Sequence, residues 1–272
     1  MSGILKPFYM EPARHLYRLM TDRWYRDYFF LASRLSPVPR YQERTFGFRE
    51  WVLSVPDCAS LLSAFREIFV ERIYEFKTDK REPYIVDLGA NIGLSVLFFK
   101  SIYPDAEIDA FEADPQIYRH LVKNVHGNGH GDVRLFNKAA WHINTVLKFQ
   151  TEGADGGRVA DIRDGGCIEV EAIDIHEFMG ERHVDFLKVD IEGAEVDVIS
   201  GCSGILNHVD CLFVEYHSVS QKEQRLDELL AVLRSSGFRY HIHSMLESKK
   251  PFLQKARILD YDMLLNIFAW KE

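Results

Sequence analysis

The sequence predicts an α/β protein: a doubly wound, mostly parallel sheet with a helical extension ahead of it. Two observations carry this. From Tyr84 onward, short apolar runs alternate with amphipathic stretches, the pattern of strands that return through helices to lie parallel. Before about residue 80 that alternation is missing, and apolar residues recur instead at roughly helical spacing.

Taken in order, residues 11–35 carry Leu16, Leu19, Met20, Tyr25, Phe29, Phe30 and Leu35 on one or two amphipathic helices. Ser36-Pro37-Val38-Pro39 closes them, because each proline disfavours helix at the residue before it. Residues 46–55 alternate well enough for a short strand or hairpin, and Pro56-Asp57 starts a helix over 59–76 that turns Leu61, Leu62, Phe65, Phe69 and Ile73 inward. Residues 1–80 thus form a helical cap that needs the sheet of residues 81–272 to cover its apolar face. Packing, a homodimer surface and a lid over a substrate are the roles open to it. Residues 84–88 are a buried strand and 94–102 a helix; 107–112 is the second strand, and Asp114-Pro115 opens a helix to about 125 with Asp as N-cap and Pro at its first position. Residues 132–137 form a third strand. Residues 145–151 and 167–172 are β segments flanking a glycine-bearing loop, 152–166, expected to be mobile. Buried strands follow at 184–190 and 211–215, the first leading into a helix from about 194; a helix at 221–235 closes on Gly237, and strands at 238–243 and 264–270 pair antiparallel at one edge.

The chain has 272 residues and a net charge of −8, with no basic block or stripe, so nucleic acid is not an expected partner. The balance points to a small or neutral substrate. Lys6 and Pro7 interrupt the start, which lacks the continuous apolar core of a secretory signal, and no later stretch reaches the length of a membrane span. A cytoplasmic location without membrane attachment is the expectation. Cys58, Cys167, Cys202 and Cys211 lack C-x-x-C pairing and read as reduced thiols.

Ligands of open α/β sheets bind beyond the carboxyl ends of the strands, so the residues there are the candidate site. In Asp87-Leu88-Gly89-Ala90-Asn91-Ile92-Gly93, Gly89 and Gly93 lack the Cβ atoms that would hold a ligand off the backbone. Their G-x-x-x-G spacing is not the G-x-G-x-x-G of dinucleotide sites, and Asp87 would repel phosphate and attract a cation. A cationic, phosphate-free nucleoside fits; a plain strand-to-helix turn is the alternative. Glu112, ending the second strand, can accept hydrogen bonds from both hydroxyls of a ribose. Ala139 and Ala140, small residues before Trp141, would let an adenine ring lie against backbone. Asp190 and Glu192, two carboxylates at a strand end before Gly193, can hold an ammonium group, orient a hydroxyl or bind a divalent cation such as magnesium. His217 follows the next strand, and its ordinary pKa suits a general base; bonding a nearby carbonyl is the plain alternative. His241-x-His243 makes half a metal site with no matching ligands nearby in sequence, so no metal is assigned.

The D-x-G-x-x-x-G turn resembles the first motif of S-adenosylmethionine-dependent methyltransferases. More specifically, IVDLGANIGLSVLFF, the acid of DAFEADP, NKAAW, VDFLKVDIEGAEVDVISG and LFVEYH resemble the FkbM family of those enzymes, over about residues 67–268. That resemblance implies a class I methyltransferase (Rossmann-like) fold with a seven-stranded sheet, S-adenosylmethionine as cofactor, and methyl transfer to a hydroxyl of a small molecule such as a natural product or sugar. By position it implies that Asp87, Gly89, Ala90, Asn91 and Gly93 line the cofactor and Glu112 holds its ribose, with Ala139, Ala140 and Asp190 also against it. Asp190, Glu192 and His217 would face the acceptor. An NAD-dependent oxidoreductase and a cofactor-binding scaffold without catalysis are the rivals.

Overall fold

The computed structural model describes residues 10–150, 158–159, 167–220, 222–246, 250, 252–253 and 261–272. Residues 1–9, which bear on the expected absence of a leader, and most of the 152–166 loop lie outside them. Two helices open the chain, α1 (Met10–Thr21) and α2 (Arg23–Leu35). Asp22 separates them, its carboxylate accepting the Trp24 and Tyr25 amides as the N-cap of α2. A hairpin follows, β1 (Arg44–Phe48) and β2 (Trp51–Val55), then α3 (Cys58–Phe65), capped by Asp57. The helix expected to reach residue 76 instead widens into a π turn over Arg66–Val70 and stops, with Arg72 in the left-handed region at φ 56°.

The main body runs β3 (Tyr84–Leu88), α4 (Leu94–Ile102), β4 (Glu107–Phe111), α5 (Pro115–Val125) and β5 (Arg134–Phe136). It continues with β6 (Ala139–Trp141), β7 (Thr145–Gln150), β8 (Arg158–Val159), β9 (Ile168–Asp174), α6 (Ile175–Met179) and β10 (Val184–Val189). Last come α7 (Glu195–Gly201), β11 (Val209–Val219), α8 (Leu226–Ser235), β12 (Arg239–Ser244) and β13 (Tyr261–Trp270). Seven strands form one sheet in the order β12-β13-β11-β10-β3-β4-β5, parallel except for β13, which lies between β11 and β12 and runs antiparallel to both. Strand β11 is longer than expected because β13 pairs along it from Cys211 to Val219. A second sheet, β6-β9-β7-β8, buds off between β5 and β10, and places Ala139 and Ala140 on a strand.

Each face of the main sheet has its own core. On one, Ile85 and Phe186 pack with α4, α5 and the amino-terminal segment; on the other, Val86, Leu187 and Val214 pack with α7 and α8. The amino-terminal core is aromatic: Trp24, Trp51, Phe65 and Phe69 meet in stacked or tilted pairs, and Phe69 meets Phe98 of α4 edge-on at 5.5 Å. Asn124 of α5 fastens the hairpin to the body. Its amide donates to the Ser54 and Ile92 carbonyls at 2.9 and 2.8 Å, and its oxygen accepts the Ser54 amide at 2.7 Å. Leu16, Tyr17, Met20 and Phe30 stay exposed on the outer side of the helical pair. Among the described residues no helix is long and apolar enough to cross a membrane, and Cys58, Cys202 and Cys211 are free thiols.

Candidate active site

A cleft of about 540 Å³ opens at the carboxyl edge of the main sheet, and the strand ends meet in it. Its lining includes Gly89, Ala90, Asn91, Glu112, Ala139, Ala140, Asp190, Glu192 and His217, all of them residues the sequence nominates. The amino-terminal segment walls it with Arg40, Tyr41, Ser60, Glu67 and Tyr74.

At the first turn, Gly89 takes φ 87° and Gly93 φ 89°, with Asn91 at φ 49° between them. These conformations favour glycine, and at both glycines protein atoms forbid a Cβ as well. At Gly89 it would fall 1.8 Å from the Asp190 carbonyl oxygen; at Gly93, 2.8 Å from Leu121 and 2.9 Å from Val125. Gly93 therefore serves the contact of α4 with α5 and is absent from the cleft wall, which corrects its expected place against a ligand. Asp87 needs the same correction. It is wholly buried, accepting the Ser95 hydroxyl at 2.5 Å, with Oδ1 3.2 Å from Lys188 Nζ, so its charge is met inside the protein and does not reach the cleft.

Every amide of the turn is in use. Gly89 and Ala90 donate to the Phe111 carbonyl, Asn91 to Glu112 Oε2 at 2.9 Å, Ile92 to Asn91 Oδ1, and Gly93 to the Ala90 carbonyl. None of the five is left to cradle a pyrophosphate. Glu112 is held by two amides, Asn91 and Asp114, and each of its oxygens keeps a lone pair for a further donor. Burial pushes its carboxyl up to about 7. Asn137 steadies the end of β4 by donating to the Glu112 carbonyl at 2.8 Å.

Across the cleft, acids surround His217, whose side chain is 3% exposed. Nδ1 lies 3.0 Å from both Glu195 Oε1 and the Glu215 carbonyl oxygen; both are acceptors, so Nδ1 carries a proton. Nε2 is 3.3 Å from Glu192 Oε2 and 3.7 Å from Glu215 Oε1. Burial favours the neutral ring, but the carboxylates of Glu195, Glu192 and Glu215 prevail and raise the imidazole well above its ordinary range. This corrects the expectation of an unperturbed base: Nδ1 is held by Glu195 and the Glu215 carbonyl, and Nε2 is set against Glu192. Glu192, at φ 55°, also accepts the Tyr261 hydroxyl at 2.8 Å, and burial pushes its carboxyl up to about 7. Burial and the nearby Asp190 push Glu215 up to about 8.

Sequence reading missed Lys188, Glu67, Tyr74 and the carboxylate of Glu195 that holds His217. Lys188 was visible as the i−2 neighbour of Asp190 on one strand face; Glu67 and Tyr74 come from a segment whose sequence carries no site signal. Asp190, Glu192 and His217 can each turn a ligand atom to a common point, all within 4.8 Å of one another, as can His183, Asp185 and Asp210 at the opposite edge. His241 and His243, exposed on β12, gather no third ligand among the described residues.

Residues 87–240 match the family described as the methyltransferase FkbM domain. The chain belongs to the FkbM methyltransferase family. Among its relatives, methyltransferase sdnD of Sordaria araneosa is 31% identical over 173 residues, covering 50% of this chain and 67% of that protein. The 2-O-methyltransferase NoeI of Sinorhizobium fredii is 27% identical over 210 residues, covering 69% of this chain and 81% of that protein. In fold alone, this FkbM chain is similar to an S-adenosylmethionine-dependent methyltransferase from Agrobacterium tumefaciens, with a TM-score of 0.52 at 9% identity, covering 86% of this chain and 72% of that one. The cofactor of this FkbM methyltransferase is S-adenosylmethionine. The site fits such a nucleoside: an acid with free lone pairs stands at the end of β4, a wall of buried small residues stands on β6, and the turn has no amide to offer a phosphate.

Proposed function

We propose that this FkbM methyltransferase transfers the methyl group of S-adenosylmethionine to a hydroxyl oxygen of a small molecule, such as a natural product or a sugar. The observation that carries this reading is the His217 and Glu192 pair, set in the same cleft as Glu112 and the glycine turn. When bound, S-adenosylmethionine supplies an electrophilic methyl group on positively charged sulfur. Glu112 would accept from the ribose hydroxyls, with Gly89, Ala90 and Asn91 beneath and Ala139 and Ala140 against the base. Asp190 would place negative charge beside the sulfonium.

A hydroxyl proton must leave as the oxygen attacks. The pair can take it because Glu195 keeps Nδ1 protonated and so leaves only Nε2 and the adjacent Glu192 oxygen to exchange a proton. The remainder of the catalysis is placement: two reactants held in one cleft lose the entropy of meeting before the chemical step. The name of the NoeI relative, a 2-O-methyltransferase, favours oxygen as the acceptor atom.

The test is radiolabelled methyl transfer from S-adenosylmethionine into a small-molecule extract, with products identified by the mass of one added methyl group. The expected result is a labelled methyl ether, and a turnover lowered ~10²-fold or more in His217→Ala with donor affinity retained. Label on nitrogen or carbon, or equal turnover in His217→Ala, would remove the pair from this role.

A further inference from the structure

We propose that Lys188 is a positioning residue of this site: its ammonium group ties the cofactor turn to the acid at the end of β10 and so fixes where both stand. The inference rests on the methyltransferase reading above. In register, Lys188 lies between Asp87 on β3 and Phe213 on β11, on the same face of the sheet as Phe186. The side chain is 3% exposed and runs to the floor of the cleft, with Nζ 5.7 Å from the centre of the Tyr74 ring. Three acceptors surround Nζ: the Gly89 carbonyl at 2.7 Å, Asp87 Oδ1 at 3.2 Å and Asp190 Oδ2 at 3.3 Å.

An ammonium group has three N–H donors and no acceptor. Nζ donates to the Gly89 carbonyl and is paired by charge with Asp87 and Asp190, and the side chain is 3% exposed, so Lys188 acts through the groups it holds. It occupies the Gly89 carbonyl and engages one oxygen of Asp190, a residue that lines the cleft. Removing the cation would leave Asp87 and Asp190 facing each other without a counter-charge, and would free the turn that carries Gly89. A purely structural lysine would do less: it would neutralise buried Asp87, and removing both charges together would then restore everything.

That difference is the test. The full-length chain and the variants Lys188→Met, Lys188→Arg and Asp87→Asn/Lys188→Met are compared by thermal unfolding and by calorimetric titration with S-adenosylmethionine. Lys188→Met is expected to unfold at a lower temperature and to bind the donor about tenfold more weakly or worse. The double variant is expected to recover the unfolding temperature but not the affinity, and Lys188→Arg, which keeps the cation, to recover part of the affinity. If Lys188→Met does not fold, the double variant and Lys188→Arg carry the comparison. A double variant that binds like the unmodified chain would overturn the proposal while leaving the methyltransferase reading intact; an unmodified chain that binds no donor would overturn that reading and this proposal with it.

Discussion

Glu192, Glu215 and His217 crowd protonatable groups into one buried cluster, and Glu67 and Glu112 bring further carboxyls into the cleft. Burial lifts Glu67, Glu112 and Glu192 to about 7 and Glu215 to about 8. An unfolded chain releases these protons near the ordinary carboxyl value of 4.5, whereas the folded chain still holds them. Between those limits the folded state binds more protons, so its stability falls as pH rises. His217 acts in the same direction: raised by its carboxylate neighbours, it stabilises the fold fully below its ordinary value of 6.5, and that contribution is lost as pH climbs through its folded value. The thermal unfolding midpoint of the ligand-free protein is therefore expected to decline from pH 5 to pH 8 through this cluster, and a midpoint that rises over that range would contradict the assignment. Most of these residues were legible in the sequence because they sit at strand ends. Their protonation was not, since it depends on carboxylates that residues 67, 192, 195 and 215 bring together across the fold.

At the scale of elements, the sequence exposed what local pattern determines and hid what pairing determines. Strands β3, β4, β10 and β11 announce themselves as apolar runs, and Asp114-Pro115 marks the start of α5 by its cap. The sheet β6-β9-β7-β8 was hidden, because Ala139–Trp141 spans three residues and becomes a strand only through β9, far along the chain. The early end of the helix after α3 was hidden too; its apolar periodicity continues to Phe76, but Tyr74 turns in against Phe99 and Phe213 instead. The seam between the amino-terminal hairpin and the body includes Asn124, fully buried and hydrogen-bonded to Ser54 and Ile92. Asn124→Ala would strand buried backbone groups on both elements and is expected to lower the unfolding free energy by roughly 2–4 kcal/mol. Urea unfolding measures this, and a change under about 0.5 kcal/mol would mean that the aromatic core and the Asn128–Val52 and His120–Ser54 hydrogen bonds hold the hairpin without Asn124.

For the whole molecule, the amino-terminal helices and hairpin share one core with α4 and α5 and also supply Arg40, Tyr41, Ser60 and Glu67 to the cleft wall. Acceptor choice is therefore open to a segment outside the residues that match the family. The carboxyl edge of the sheet supplies the other half: a turn with its amides spent, Glu112 with lone pairs to spare, and His217 set against Glu192 across the cleft. Methyl transfer at this site requires that the turn admit a phosphate-free nucleoside and refuse a dinucleotide. Calorimetric titration of the intact chain with S-adenosylmethionine, and separately with NAD, tests this most directly. Saturable heat is expected with S-adenosylmethionine, weakened about tenfold or more in Glu112→Ala, and none with NAD; saturable binding of NAD without binding of S-adenosylmethionine would contradict a nucleoside site here.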